Sequence, residues 1–490
     1  MKKVLLTHSY FLRFDPKQWK MQQAYPPLGT LYAAAKLREQ GYEVKVFDPM
    51  FEKSPEAILP VMDSFEPNIL VIYDDGFNYL TKMCLTNMRE AAFKMISYAN
   101  LHKVVSIVSS SDSTDHTQDY LDHGANFIIR GEGEITLSEL IRNLDTDEIE
   151  YNKIPGIAFW ENGQAVITLK REVLRDLDTL PPPAWDLISM NEYSERWKKS
   201  SGYFSLNIST TRGCPFHCNW CAKPIYGNRY NVHSPAYVVQ EIKKLIDQYN
   251  VHHFWMTDDI FGLKPGWVKE FADLIEKEKL SIRFKIQSRV DLLTTENTIH
   301  HLARAGCEIV WMGAESGSQK ILDAMDKGTR IEQIVEATHL LKKNNIQPAF
   351  FLQFGYPGET LDDIRSTLKM VEDLEPGDIG ISVSYPLPGT VFYERVKSEL
   401  GTKTNWTDSD ELAMMFKSPF PGEFYKNLQR YVHRSFRARQ GKAILKDLVK
   451  HPGKASLSDL KRGFALPYHL AGKAFNYSQL KKFVKEGEVL

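Results

Sequence analysis

The chain has 490 residues, enough for two or three domains, and its 61 Lys+Arg against 62 Asp+Glu give a formal net charge of -1 at pH 7. That balance excludes recognition of nucleic acid through a globally basic surface, and no run approaches the ~20 apolar residues of a spanning helix. The apolar run in the opening MKKVLLTHSYF is too short for a signal peptide, and five cysteines make no disulfide framework, so a cytoplasmic protein is expected.

From Lys3 to about Asn143, β-branched runs alternate with helical patterns: KVLLTHS, LGTLYAAAKLREQG, EVKVFD, NILVIYD, TNMREAAFKMISYAN, VVSIVSS, FIIRG. The rhythm predicts a doubly wound parallel sheet over residues 1–145, with ligands beyond the carboxyl ends of its strands. Residues 146–200 read as a linker with small strands (GIAFW, AVITL), because the three prolines of LPPPAWDL resist both helix and central strand. A second alternating series over 201–400, about six strands each followed by a helix, fits a full or partial β/α barrel with its site on the strand-end loops. Residues 401–490 read as a helical C-terminal region, and from Phe424 onward it carries fifteen Lys/Arg against four Asp/Glu.

The loop GCPFHCNWCAKP, Gly213–Pro224, spaces three cysteines as CxxxCxxC. Thiolates are soft ligands, and a closed zinc site takes four ligands, commonly as paired CxxC or Cys/His sets. Cys214, Cys218 and Cys221 suit three corners of a four-iron four-sulfur cluster, whose fourth iron would stay open to bind a small molecule. The alternative is a structural zinc loop completed by His217, or by Cys84 or Cys307 recruited from afar.

In these residues, TTRGCPFHCNWCAKP, the chain resembles the signature loop of radical S-adenosylmethionine enzymes, with the aromatic Trp220 before the last cysteine. The resemblance implies a 4Fe-4S cluster on Cys214, Cys218 and Cys221, S-adenosylmethionine chelated by the open iron, and an electron donor such as flavodoxin or ferredoxin. Successive strand ends extend it. HHFWMTDDIFG supplies Asp258 and Asp259; FKIQSRVD supplies Gln287, Ser288 and Arg289; WMGAESGSQ supplies Glu315 and Ser316; FFLQFGYPGET supplies Gly355, Pro357 and Gly358. The resemblance implies that these surround the cofactor, although acidic residues after a strand also cap helices and Gly-Pro-Gly is turn chemistry in its own right.

The segment YPPLGTLYAAAKLREQGYEVKVFD, with the later GANFIIRGEGE, resembles the cobalamin-binding domain fused ahead of many such barrels. That implies Tyr25, Pro27 and Gly29 at the first helix, Asp75 in the loop after the third strand, and Ser110 and Ser111 in the loop after the fourth, all facing a corrin ring. Two departures stand out: no histidine lies in the DxHxxG setting of a lower axial ligand, and SSSD replaces the usual glycines. A domain that packs without cobalamin is the alternative, and RGEGE reads equally as a strand end and helix cap. The CAKPIYGNRY continuation is similar to the anaerobic magnesium-protoporphyrin monomethyl ester cyclase and carbon-methyltransferase subgroup. It implies attack on an unactivated carbon of a small-molecule substrate, by methylation or, alternatively, by oxidative cyclisation or ring rearrangement. A cluster-binding sensor without turnover is the reading from another class. The basic tail is expected to pack as an amphipathic helix or to dock a carrier protein or lipid surface, and Tyr226, Tyr230 and Tyr385 are candidate hydrogen donors.

Overall fold

The computed structural model describes residues 2–83, 85–146, 150–295, 297–401, 403, 405–451 and 457–484; Cys84 lies outside the described residues. Strands β1 (Lys3–Thr7), β2 (Glu43–Val46), β3 (Ile69–Tyr73), β4 (Val105–Ser109) and β5 (Phe127–Ile129) are parallel in the order β2-β1-β3-β4-β5. Their central runs are apolar because both faces are covered. Val4, Leu6, Ile69, Val71 and Ile129 face helices Leu28–Glu39 and Glu134–Asn143, whereas Leu5, Leu70, Ile72, Val108 and Ile128 face helices Leu59–Phe65 and Thr86–Leu101. The strand order reverses at β1, which puts the ligand crevice of such a sheet beyond the ends of β1 and β3.

The small strands of the linker, β6 (Ile157–Glu161) and β7 (Gln164–Ile167), pair antiparallel onto β5 and extend this sheet to seven strands. Helix Met190–Ser201, in the same stretch, was not anticipated. Its signal is a stripe of Met190, Tyr193 and Trp197 in an otherwise polar segment. Its buried tips clamp the amino-terminal segment: the Trp197 indole donates to the Ala24 carbonyl at 2.7 Å and the Tyr193 hydroxyl to Asp48 at 2.6 Å.

The second unit begins with β8 (Leu206–Ile208), followed by a ribbon of β9 (Thr211–Arg212) and β10 (Asn231–Val232). Then come β11 (His253–Met256), β12 (Arg283–Ser288), β13 (Cys307–Glu315), β14 (Gln347–Phe354) and β15 (Asp378–Val383), all parallel in chain order with β8 at one edge. This is a six-stranded partial β/α barrel. One apolar cluster runs from the first sheet into the barrel, so the two units share a core.

The long helix Gly422–Lys450 of the carboxyl-terminal region buries Phe424, Tyr425, Leu428, Val432 and Phe436 in that same cluster. Arg437 reaches Asp378 at 3.2 Å and Gln440 the Gly377 carbonyl at 2.9 Å, fixing the helix to β15. Deleting residues 424–490 is therefore expected to yield insoluble protein, read as the soluble fraction on expression; soluble, folded protein would mean that the packing is dispensable.

Helix Pro235–Tyr249 buries Glu241, whose carboxylate accepts from the Trp185 indole at 3.3 Å. Burial pushes this carboxyl up to about 7. A folded-state value above the unfolded one contributes stability below the unfolded pKa that is lost as pH rises through the folded value. Glu241→Gln should thus be stabilising by about 1 kcal/mol at pH 5 and by about 3 kcal/mol at pH 8, measured as the pH dependence of the thermal midpoint.

Candidate active site at the facing strand ends

The β9–β10 ribbon closes the base of the cysteine loop. Gly213 has φ +78°, and a Cβ there would meet the Arg229 carbonyl oxygen at 2.3 Å, so only glycine lets the loop turn at this point. Cys214, Cys218 and Cys221 are free, part-buried thiols on this one loop. Burial pushes Cys221 up to about 12 and raises Cys214 as well, so a metal is needed to hold them as thiolates. Cationic side chains stand close: Arg289 Nη1 is 3.8 Å from Cys218 Sγ, its guanidinium stacks on Phe216 at 3.7 Å, and Lys223 reaches the Phe216 carbonyl.

The donor set fits an iron–sulfur cluster, which offers each thiolate its own iron. Cys307 opens β13, at the opposite end of the barrel from the loop that follows β8, and is buried against the Ile309 carbonyl. The recruitment of Cys307 to a zinc site is therefore corrected by the parallel topology.

The strand-end residues take two kinds of position. Arg289, Glu315 and Lys327 form a buried set beside the thiols. Lys327 donates to Glu315 at 2.8 Å, its carbonyl accepts from Arg289 at 2.9 Å, and its ammonium lies 6.0 Å from the Trp220 ring. Glu315 has φ +55° at a register shift between β13 and β14, which turns it out of the ladder. Trp220 packs against the cluster of Met325, Tyr356 and Phe392, and its indole N–H is buried without a partner among the described residues.

Other side chains are engaged in holding the scaffold. Asp258 accepts from Thr210 N and Oγ1 and from Thr211 N at 2.5–2.8 Å, tying β11 to the cysteine loop, and burial pushes its carboxyl up to about 7. Gln287 donates to the Asp258 carbonyl at 2.5 Å and Ser288 to the Phe261 carbonyl at 2.9 Å. Ser316 is fully buried, its hydroxyl 3.1 Å from that of Thr367. Gly355 N donates to Glu359 at 2.7 Å, and its α-carbon side faces Met414 and Tyr425.

At the ends of the first sheet, Asp75 accepts from Gly29 N at 3.1 Å and Phe77 N at 3.0 Å, and burial pushes it up to about 6. A Cβ on Gly29 would come within 3.3 Å of Asp75, so this glycine lets helix Leu28–Glu39, which Pro27 precedes, approach the loop. Ser110 is committed to a capping box with Ser113, and Ser111 is buried in the first turn of the short helix it begins. Tyr25 lies elsewhere: its hydroxyl donates to Ser205 at 3.4 Å and its ring meets Trp197 and Trp255 at the foot of the barrel. His8 has both ring nitrogens engaged, one with Asp48 at 3.0 Å and one with Tyr10 N at 3.2 Å. A ligand in the β1/β3 crevice would thus meet backbone and loop surface. The crevice lies where sheets of this topology take their ligands, and the polar side chains named above shape its loops.

The cysteine loop lies against this same crevice. A Cβ at Gly76 would lie 3.4 Å from the Tyr226 hydroxyl, Phe77 and Tyr226 rings are 5.6 Å apart, and Lys82 pairs with Asp259. Tyr385, beyond β15, donates to the Met83 carbonyl at 3.1 Å. Arg212, two residues before Cys214, was not singled out from the sequence. It is fully buried, bonded to Glu132 at 2.5 Å and Glu134 at 2.8 Å, and flanked by the rings of Tyr32, Phe77 and Tyr226 at 5.3–5.4 Å. RGEGE does begin a helix, and its two glutamates also receive this arginine from the other unit.

A flavodoxin-like sheet whose strand ends face the three-thiol loop of a partial β/α barrel defines a two-unit α/β protein built around two facing strand-end sites. Residues 208–371 match the Radical SAM superfamily model. The chain is 28% identical over 436 residues to an uncharacterized methyltransferase of Pyrococcus horikoshii, covering 87% of this chain and 91% of that protein. It is 28% identical over 331 residues to the anaerobic magnesium-protoporphyrin IX monomethyl ester cyclase of Synechocystis sp., covering 66% and 64%. Among solved structures, the cobalamin-dependent S-adenosylmethionine radical enzyme OxsB with aqua-cobalamin bound superposes with a TM-score of 0.76 at 16% identity, covering 97% of this chain and 72% of that one. The chain carries a radical SAM domain over residues 208–371, and the relatives it matches are methyltransferases and a cyclase.

Proposed function

We propose that the protein cleaves S-adenosylmethionine reductively and, with cobalamin, methylates an unactivated carbon of a small-molecule substrate. The observation that carries this reading is the apposition of the three-thiol loop to the β1/β3 crevice through the Phe77–Tyr226 and Lys82–Asp259 contacts. When bound, a 4Fe-4S cluster with an open iron supplies the electron that yields a 5'-deoxyadenosyl radical for hydrogen abstraction, and cobalamin supplies the methyl group. Cys214, Cys218 and Cys221 are the cluster ligands in this reading. Arg289 lies against Cys218 and offsets thiolate charge, and the Lys327–Glu315 pair fixes the wall beside it. Asp258 holds the two threonines before the loop and so sets its position. Arg212, Glu132 and Glu134 join the two units through a buried ion-paired contact beside the cysteine loop.

The test is anaerobic incubation with cobalamin, S-adenosylmethionine and a low-potential reductant, reading 5'-deoxyadenosine and, with candidate substrates, product mass. The expected result is 5'-deoxyadenosine in wild type and a gain of one methylene equivalent in the product. An unchanged carbon count with loss of hydrogens would assign the cyclase chemistry of the Synechocystis relative instead.

A further inference from the structure

Burial alternates along the barrel strands. On β12, Phe284, Ile286 and Ser288 are buried under the helices, whereas the inward Lys285 and Gln287 are part-exposed; Trp255, Trp311 and Phe351 occupy matching part-exposed inward positions on β11, β13 and β14. The inner face of the barrel is therefore lined by rings and only partly covered. Trp311 and Phe351 stack at 4.8 Å with 24° between their planes.

On this inner face Lys285 has an unusual setting. Its ammonium lies 4.5 Å from the ring of Trp255, 5.5 Å from that of Tyr25 and 5.6 Å from that of Trp197. The nearby carboxylates are engaged elsewhere: Glu308 bonds His253 at 2.6 Å and pairs with Arg283, and Asp378 is held by Arg437. Ring faces favour a cation but offer no lone pair. Desolvation pushes Lys285 down to about 8, with the charges of Glu308 and Asp378 opposing it. On the adjacent strand the Trp255 indole N–H is buried with no partner among the described residues, and so is Asn207 Oδ1 on β8, whose amide nitrogen donates to the Pro26 carbonyl at 3.0 Å. Buried polar groups in native proteins are nearly always paired; Asn207 Oδ1, opposite Trp255 in the strand register, is an unpaired acceptor, while the Trp255 N–H and the part-exposed Lys285 ammonium over its ring are positioned to share the acceptor of a ligand.

We propose that Lys285 and the indole N–H of Trp255 bind the anionic group of an apolar, ring-bearing substrate that lies on the barrel's inner face against Trp311 and Phe351. Lys285 is a specificity-determining residue in this assignment. The anion sits about 6.6 Å along β12 from Gln287, at roughly 3.3 Å per residue over two residues, which leaves the body of the substrate directed toward the strand ends. The inference rests on the reading of this inner face as the substrate-binding face of a radical enzyme.

The test uses 8-anilinonaphthalene-1-sulfonate and its uncharged skeleton N-phenyl-1-naphthylamine as probes of the full-length protein, with binding read by fluorescence titration. Wild type is expected to bind the sulfonate more tightly than the neutral probe. Lys285→Met should weaken the sulfonate about tenfold, the weight of one lost charged contact, and leave the neutral probe unchanged, while Lys285→Arg keeps the preference. Trp311→Ala should weaken both. Lys285→Gln, checked for native circular dichroism, serves if the methionine variant does not fold. Equal effects on both probes, no effect on either, or no binding of either probe to wild type would overturn the assignment. The same preparations are assayed for 5'-deoxyadenosine: absent cleavage overturns the radical reading, whereas intact cleavage with an unchanged probe ratio overturns only the role of Lys285.

Discussion

Replacing Cys214, Cys218 and Cys221 together with alanine is expected to abolish iron binding and 5'-deoxyadenosine formation while the fold survives. The physical reason lies in the loop's anchoring. Its base is held by the β9–β10 ribbon and by the three bonds from Thr210 and Thr211 to Asp258, and none of these involves a thiol. Asn219 adds a further anchor, donating from its backbone to the Met325 carbonyl at 3.0 Å and from its side chain to the Ala324 carbonyl at 2.8 Å. The variant should therefore keep wild-type circular dichroism and elution volume, with the absorbance of an iron–sulfur centre missing. Retained cleavage activity in the variant would contradict the assignment of the cluster ligands.

Arg212→Met is expected to be the most destabilising single substitution in the protein. It removes the cation from between Glu132 and Glu134, all three groups being at least nine-tenths buried. Leaving buried carboxylates unpaired costs about 3–5 kcal/mol. Burial already pushes Glu132 upward in the native protein, with Arg212 opposing it. Without the arginine its folded-state pKa rises further above the unfolded value, so stability is lost as pH increases, and the deficit should widen from pH 6 to pH 8. Adding Glu132→Gln and Glu134→Gln should recover most of the loss, because neutral amides need no counter-charge. The measurement is the thermal midpoint of the three proteins at both pH values; a variant as stable as wild type would mean that the two units are held by apolar packing alone.

The fold was legible because its signals are local. Five apolar strand runs alternating with helical patterns gave the doubly wound sheet, and a second alternating series gave the barrel. The cysteine loop was legible as a metal-binding loop from its spacing, which left zinc open beside an iron–sulfur cluster until the resemblance to the radical S-adenosylmethionine signature was added. What escaped the sequence depends on contacts distant along the chain. Arg212 stands 80 residues from Glu132, and neither position has a pattern that names its partner. Lys285 reads as an ordinary inward strand residue until Tyr25, Trp197 and Trp255 close around it from three separate elements. The hairpin β6–β7 was seen as strands, but its pairing onto β5 follows from sheet topology that no local pattern specifies. Among the strand-end residues, the hydrogen bonds separate Arg289 and Glu315, on the side of the thiols, from Ser288 and Ser316, whose hydroxyls are engaged in the scaffold.

The most direct test of the central claim is the iron and cobalt content per chain after anaerobic expression with cobalamin supplied, compared between wild type and the triple alanine variant. Near-stoichiometric cobalt in both, with iron lost only from the variant, is the result predicted by two separable cofactor sites at the facing strand ends. Iron without cobalt in wild type would contradict it, and would make the flavodoxin-like sheet a scaffold for radical chemistry that uses no cobalamin.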